Sequence, residues 1–318
     1  MSERGGRRWI RWLERGAALV VVGFLVAYLV ENWGAVRDYE WSVDWGRMAL
    51  AAGLHALVYS GYVVLWRHVL EALGARLSLA DAHRVWYLGN LGRYVPGKVL
   101  QLAGTAYLAR ARGVSPVLAV AATMVAQLFV LGTGFAVAAA TLPEAAGRIA
   151  WLEPVSLAAA AAILLVLLTP LFDRLYRAAL KVVRRPEYHV EVPWTIRLAL
   201  TAGYAGLWLA FGIAFWLFVG AVVEPGPDAF WPVVGTWAIG YMAGWMVVFV
   251  PGGLGVREGV YAALLALYIP PTIAVATAVL ARVWSTTIEL AVAGGLLARY
   301  GMADLRVGAD PEPRDAHG

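Results

Sequence analysis

Long apolar stretches recur along this chain, at about 17–30, 47–67, 116–141, 154–172, 197–222 and 272–298, with few charges inside them. A bilayer takes about 20 apolar residues per helical crossing, and its interior offers nothing to bond exposed peptide groups. Each crossing must therefore satisfy its own backbone. The stretches are continuous rather than alternating with a period of two, which excludes a β-barrel and leaves helices as the spanning element. With 61% hydrophobic and only 15% charged residues, the chain falls outside the range of soluble domains. An all-α integral membrane protein of about six transmembrane helices is expected.

The segments between these stretches hold an internal repeat. Val95-Pro96-Gly97 recurs at Val250-Pro251-Gly252, and the same shift of 155 residues carries Gly89 onto Gly244, Gly104 onto Gly259, Pro116 onto Pro271 and Gln127 onto Arg282. Coincident alanines and valines mean little here, but Pro and Gly fix or free particular backbone angles. The first copy, about 84–112, carries Arg84, Asn90, Arg93, Lys98, Gln101, Arg110 and Arg112 and is too polar to cross the membrane cleanly. A Pro-Gly break in its middle suits two short helices that dip in and return, shielded by protein or a wet cavity. The second copy, 230–267, is read in the same way, although its apolar first arm is long enough to span. Two re-entrant hairpins are thus expected, within a first repeat at about 47–141 and a second at about 202–296.

Loop charges orient the chain. Residues 1–15 carry Arg4, Arg7, Arg8, Arg11 and Arg15 and lead into an apolar run without a small-residue cleavage site, as in an uncleaved first helix with a basic cytoplasmic N-terminus. A cytoplasmic start puts Glu31, Asp38, Glu40 and Asp44 outside and the first hairpin inside. It also puts the basic segment of Arg174, Arg177, Lys181, Arg184 and Arg185 inside, as the positive-inside rule demands. One span, 154–172, separates the repeats, so they enter the membrane from opposite faces as inverted repeats. That is a recurrent architecture of alternating-access carriers. Residues 16–300 form the transmembrane domain, in a cell (inner) membrane. The polar tail 301–318, with Asp310-Pro311-Glu312-Pro313, is expected to be disordered and cytoplasmic.

Ionisable groups at membrane depth cost about 2.5–3.5 kcal/mol on insertion scales, so those present need a reason. In the first hairpin Asn90, Arg93, Pro96, Gly97, Lys98 and Gln101 surround the break. They form either an anion site made of cations and helix-start amides, or a set of interfacial residues snorkelling to water. The second hairpin reads Pro251-Gly252-Gly253-Leu254-Gly255-Val256-Arg257-Glu258, a flexible turn followed by an ion pair. It suits close ligand approach or a structural turn. In the last span Arg282, Ser285, Thr286 and Glu289 share one helical face, which either lines a substrate path or pairs helices. His55 is expected to be a core histidine, the Trp and Tyr of the spans to be packing and interface anchors, and Gly240 and Gly244 to permit close helix packing.

Other chemistries lack their residues. The sequence has no cysteine, and its five histidines show no metal-ligand spacing, so no metal site or cofactor is expected. No phosphate-binding loop of the Walker type occurs, which argues against direct ATP use. The formal net charge of +5 is mostly arginine in cytoplasmic loops, as expected of a membrane protein rather than a nucleic-acid binder.

Asn90-Leu91-Gly92-Arg93-Tyr94-Val95-Pro96-Gly97-Lys98 and the stretch Val250 to Gly259 resemble the two signatures of the lysylphosphatidylglycerol synthase transmembrane family, across about residues 10–300. That resemblance implies a flippase-like protein that moves lipids between leaflets, aminoacyl-phosphatidylglycerol or polyprenyl-phosphate-linked sugars among them. Founding members carry a soluble aminoacyl-transferase domain that has no counterpart up to Gly318, so synthase activity is not expected. A lipid with an anionic or zwitterionic head group and a membrane or cytoplasmic lipid-modifying enzyme are the expected partners. The head group would meet Arg93, Lys98, Arg257 and Glu258. The alternatives are a membrane-embedded glycosyl- or phospho-transferase and an accessory subunit of a lipid-modifying enzyme.

Overall fold

In the computed structural model the described residues are 27, 30–31, 33–94, 99–142, 152–182, 185, 191–247 and 251–300. Among them every regular element is helical: α1 (Trp33–Arg37), α2 (Trp45–Ala72), α3 (Leu79–Asn90), α4 (Val99–Arg110), α5 (Pro116–Thr141), α6 (Leu152–Leu168), α7 (Leu171–Val182), α8 (Trp194–Val222), α9 (Phe230–Met246), α10 (Val256–Leu265) and α11 (Pro271–Tyr300). Short 3₁₀ turns at Leu91–Tyr94 and Pro251–Gly253 follow α3 and α9. Helices α2, α5, α8 and α11 are each long and apolar enough to cross a membrane. The expected first span falls mostly outside the described residues.

The expected span 154–172 needs correction. Its helix stops at Leu168, and α7 leaves at 78° to α6. Pro170 explains the break, because it lacks an N–H and disfavours helical geometry in the residue before it. The Thr169 hydroxyl donates to Leu165 O (2.6 Å), closing the last turn of α6. Counted with α7 as one bent span, α6 raises the candidate spans among the described residues to five.

Two helical hairpins lie between the long helices. In the first, α3 and α4 run antiparallel, and at 12 residues each they reach about 18 Å, short of the ~30 Å apolar core. Their open end is clamped. Ser78 caps α3 by accepting from Asp81 N (3.1 Å), and its own hydroxyl donates to Asp81 Oδ2 (2.6 Å). Arg84 and Arg112 each donate to Asp81 Oδ1 at 3.1 Å, so one carboxylate joins both arms. Partial burial pushes the Asp81 carboxyl up, but Ser78 and the Arg112 and Arg84 guanidiniums outweigh it and hold it below the ordinary carboxylate value. At the other end a Cβ on Gly92 would sit 2.5 Å from Gln101 N, so only glycine permits that approach.

The second hairpin, α9 with α10, repeats this layout. Under the 155-residue shift the last residue of α4 falls on the last of α10, and Pro116 and Pro271, which open α5 and α11, coincide. Proline suits a first helical position, where the missing N–H would have no partner. The turns at the two hairpin tips lie against each other.

Helices α2 and α8 form the most extensively packed pair at the centre. Around them the packing is uneven: α5 lies closely along α9, whereas the corresponding pair, α11 and α3, barely touch.

Candidate functional site

Aromatic residues recur at spacings of three and four on both central helices: His55, Tyr59, Tyr62 and Trp66 on α2, and Tyr204, Trp208, Phe211, Phe215 and Phe218 on α8. This spacing lines one face of a helix, and the two stripes turn toward each other. Tyr62 meets Tyr204 edge-on with ring centres 5.6 Å apart, and Trp208 meets Tyr241 of α9 at 5.2 Å. His55 is fully buried among the rings of Tyr59, Phe211, Trp237 and Trp284, at 4.7–5.4 Å, as expected of a core histidine. Bulky rings cannot fill the space between the stripes without gaps, and a cavity of about 70 Å³ remains among Tyr59, Tyr62, Trp66, Tyr204, Trp208 and Phe211.

Both hairpins and both flanking long helices bring polar groups to this cavity. Asn90 closes α3 and Gln101 opens α4, and Gln101 Nε2 donates to Asn90 Oδ1 (2.6 Å) across the first hairpin's tip. Helix α5 contributes Thr123 and Gln127, and α11 contributes Ser285 and Glu289. The Glu289 carboxylate accepts from the Tyr59 hydroxyl. From α10 comes Arg257, whose guanidinium carbon lies 4.2 Å above the Tyr241 ring. Its Nε is buried with no hydrogen-bond partner among the described residues, as is Nε2 of Gln127. A buried donor in that condition costs about 1–3 kcal/mol, so the site holds unspent hydrogen-bonding capacity beside one cation and one anion.

The glycine-rich turn sets Arg257 in place. Gly252, Gly253 and Gly255 take φ values of 58°, 69° and 80°, where a side chain would be strained. The Glu258 carboxylate caps α10 by accepting from Gly255 N (2.5 Å), and its other oxygen lies 3.4 Å from Arg282 Nε. Arg282 Nη2 donates to Gly252 O (3.1 Å), tying the turn to α11. A Cβ on Gly244 would lie 2.5 Å from Arg257 Cγ, and one on Gly240 2.1 Å from the Tyr261 ring. Both glycines of that Gly-x-x-x-Gly therefore serve packing of α9 on α10 within the chain.

The structure sorts the candidate residues into three groups. Asn90, Gln101, Arg257 and Glu289 reach one cavity. Gly252, Gly253, Gly255, Glu258 and Arg282 form the network beside it, so the helical face shared by Arg282, Ser285 and Glu289 divides between hairpin and cavity. Arg93 and Pro251 are described in backbone alone, and Pro96, Gly97 and Lys98 lie outside the described residues. Sequence reasoning missed the aromatic walls, whereas Gln127, the repeat counterpart of Arg282, does line the cavity. The spacing of the aromatic residues on α2 and α8 was the available signal, overshadowed because aromatic residues in membrane helices usually anchor interfaces. Among the described residues no group of three or more His, Cys, Asp and Glu is arranged to hold a metal.

Glu289, Tyr59, Trp86 and Asn90 also border a smaller hollow reaching Leu91 and Ala293, in the loose seam between α3 and α11. The cavity thus lies next to the loosely packed contact of α3 with α11. A family model described as the lysylphosphatidylglycerol synthase TM region matches residues 16–293. No curated protein and no solved structure matches the chain.

Proposed function

The chain belongs to the family of the lysylphosphatidylglycerol synthase transmembrane region, and on that premise we propose that it is a flippase for a lipid whose head group carries a phosphate. The observation that carries this reading is the central cavity, whose wall brings Arg257 and the amides of Asn90, Gln101 and Gln127 together with Glu289 among aromatic faces. Guanidinium and amide donors suit phosphate oxygens, while a carboxylate beside aromatic rings suits an ammonium group. A head group bearing both charges, of the aminoacyl-phosphatidylglycerol type, matches this pattern better than a polyprenyl phosphate linked to a neutral sugar, which carries no ammonium.

About 70 Å³ holds a few waters and no lipid head group. Transport on this reading requires the cavity to widen, and the α3–α11 seam supports opening there. The two four-helix units, α2 to α5 and α8 to α11, act as inverted repeats with both termini cytoplasmic, in agreement with the loop charges. Each would expose the cavity to one leaflet in turn while acyl chains stay in lipid. The transferase alternative finds less support, since Glu289 is the sole carboxylate on the described cavity wall and acid–base transfer ordinarily uses a pair.

The test is flux. Purified protein in vesicles containing a fluorescent aminoacyl-phosphatidylglycerol should bring that lipid to the opposite leaflet faster than empty vesicles do. Arg257→Gln should slow it about tenfold or more, as loss of a charge-assisted bond of ~1.5–3 kcal/mol predicts. Equal rates with and without protein, for this lipid and for polyprenyl phosphates, would sink the proposal.

A further inference from the structure

Helix α7 is strongly two-faced. Phe172, Tyr176 and Leu180 recur every four residues and are buried, while Arg174, Arg177 and Lys181 stand exposed on the opposite side. The helix is fixed in that attitude. Arg197, itself buried in α8, donates to Thr169 O (2.8 Å) at the bend, lies 3.5 Å from Asp173 Oδ2, and stacks over the Phe172 ring at 5.5 Å. A helix turned 78° from the span before it, apolar beneath and cationic above, has the build of one lying in the plane of a membrane surface.

Beneath α7, between α5 and α6, runs a groove of about 580 Å³ with an almost wholly apolar wall, including Val120, Met124 and Leu128 of α5 and Leu175 and Ala179 of α7. It uses a different face of α5 from Thr123 and Gln127 and shares no residue with the central cavity. Water is excluded from such a site, and chain atoms of a lipid are the material at hand. The charge above chooses among lipids. Arg174 and Lys181 are exposed on that side of the helix. We infer that this groove is a binding site for one acyl chain of an anionic glycerophospholipid from the leaflet on which α7 lies, its phosphate held by the cations along α7. The site is separate from the proposed transport path and does not depend on it.

Full-length protein reconstituted in phosphatidylcholine vesicles, with a trace of phosphatidylglycerol or phosphatidylcholine carrying a photoreactive acyl chain, tests this. Phosphatidylglycerol should label peptides of α5 and α7 about 25-fold more than phosphatidylcholine, at about fivefold for each of Arg174 and Lys181. Ala121→Trp, which fills the groove, should abolish that label. Arg174→Gln with Lys181→Gln, both exposed and harmless to folding, should bring the anionic label down to the phosphatidylcholine level, at about fivefold per cation. Arg257→Gln should leave the labelling unchanged, which separates this site from transport. Equal labelling by the two lipids, labelling indifferent to the charge variant, or crosslinks to a second copy of the chain in place of lipid would overturn the inference.

Discussion

Glu258 and Arg257 are adjacent in sequence yet do opposite work. Glu258 is buried, caps α10 and faces Arg282, so its charge is spent on structure. Glu258→Ala takes the facing carboxylate from the half-buried Arg282 guanidinium and the cap from α10, and should destabilise the protein by on the order of 1–3 kcal/mol, read as a lowered midpoint of thermal unfolding in detergent. Glu258→Gln, which still accepts from Gly255 N, should cost less, and equal losses for the two would contradict a charge-based role. Glu289 presents the reverse case. Glu289→Gln preserves an acceptor for the Tyr59 hydroxyl while removing the negative charge, so stability should hold while transport of an ammonium-bearing lipid falls relative to one lacking the amine. These two roles could not be told apart in sequence, where Arg257-Glu258 reads as an ion pair. The structure pairs Glu258 with Arg282, 24 residues on, and turns Arg257 to Tyr241 and the cavity.

Among the elements, the hairpins were the most legible, because Pro and Gly mark breaks directly and repeating the marks 155 residues apart repeats the architecture. The bend after α6 was less so. Its apolar run continues through Pro170 to Leu171-Phe172, and hydropathy alone cannot separate a span from an interfacial helix that follows it. The first hairpin makes a pH prediction. Asp81 has a depressed pKa in the folded protein, so its bonds to Arg84 and Arg112 add stability above the ordinary carboxylate pKa of about 4 and lose it as pH falls through the lower folded value. The unfolding midpoint of the natural protein should therefore drop between about pH 5 and pH 3 more than that of Asp81→Asn does. Parallel curves would show that the clamp contributes nothing through charge.

At the scale of the whole molecule, two units of similar layout are packed unequally, tightly at α5–α9 and loosely at α3–α11. If the loose seam is the one that opens, pinning it should stop transport. The natural sequence has no cysteine, so Leu91→Cys with Ala293→Cys, both bordering the seam's hollow, can be bridged by a short thiol-specific crosslinker without competing sites. Lipid movement should fall to the empty-vesicle rate and return on cleavage of the linker. Undiminished movement in the bridged protein would place the opening elsewhere. The contact between the two hairpin tips bears on energetics as well. If the two hairpins enter from opposite faces, as the proposed inverted repeats require, water would reach each tip from its own side, and most of the electrical potential would drop over the short distance between them. A head group of net charge would then cross most of that potential in one step, worth about 2.3 kcal/mol per elementary charge at 100 mV, while a neutral zwitterion would cross it at almost no electrical cost. An imposed voltage should accordingly speed or slow the first kind of cargo and leave the second untouched, which makes the electrical response of transport a direct reading of the charge its cargo carries.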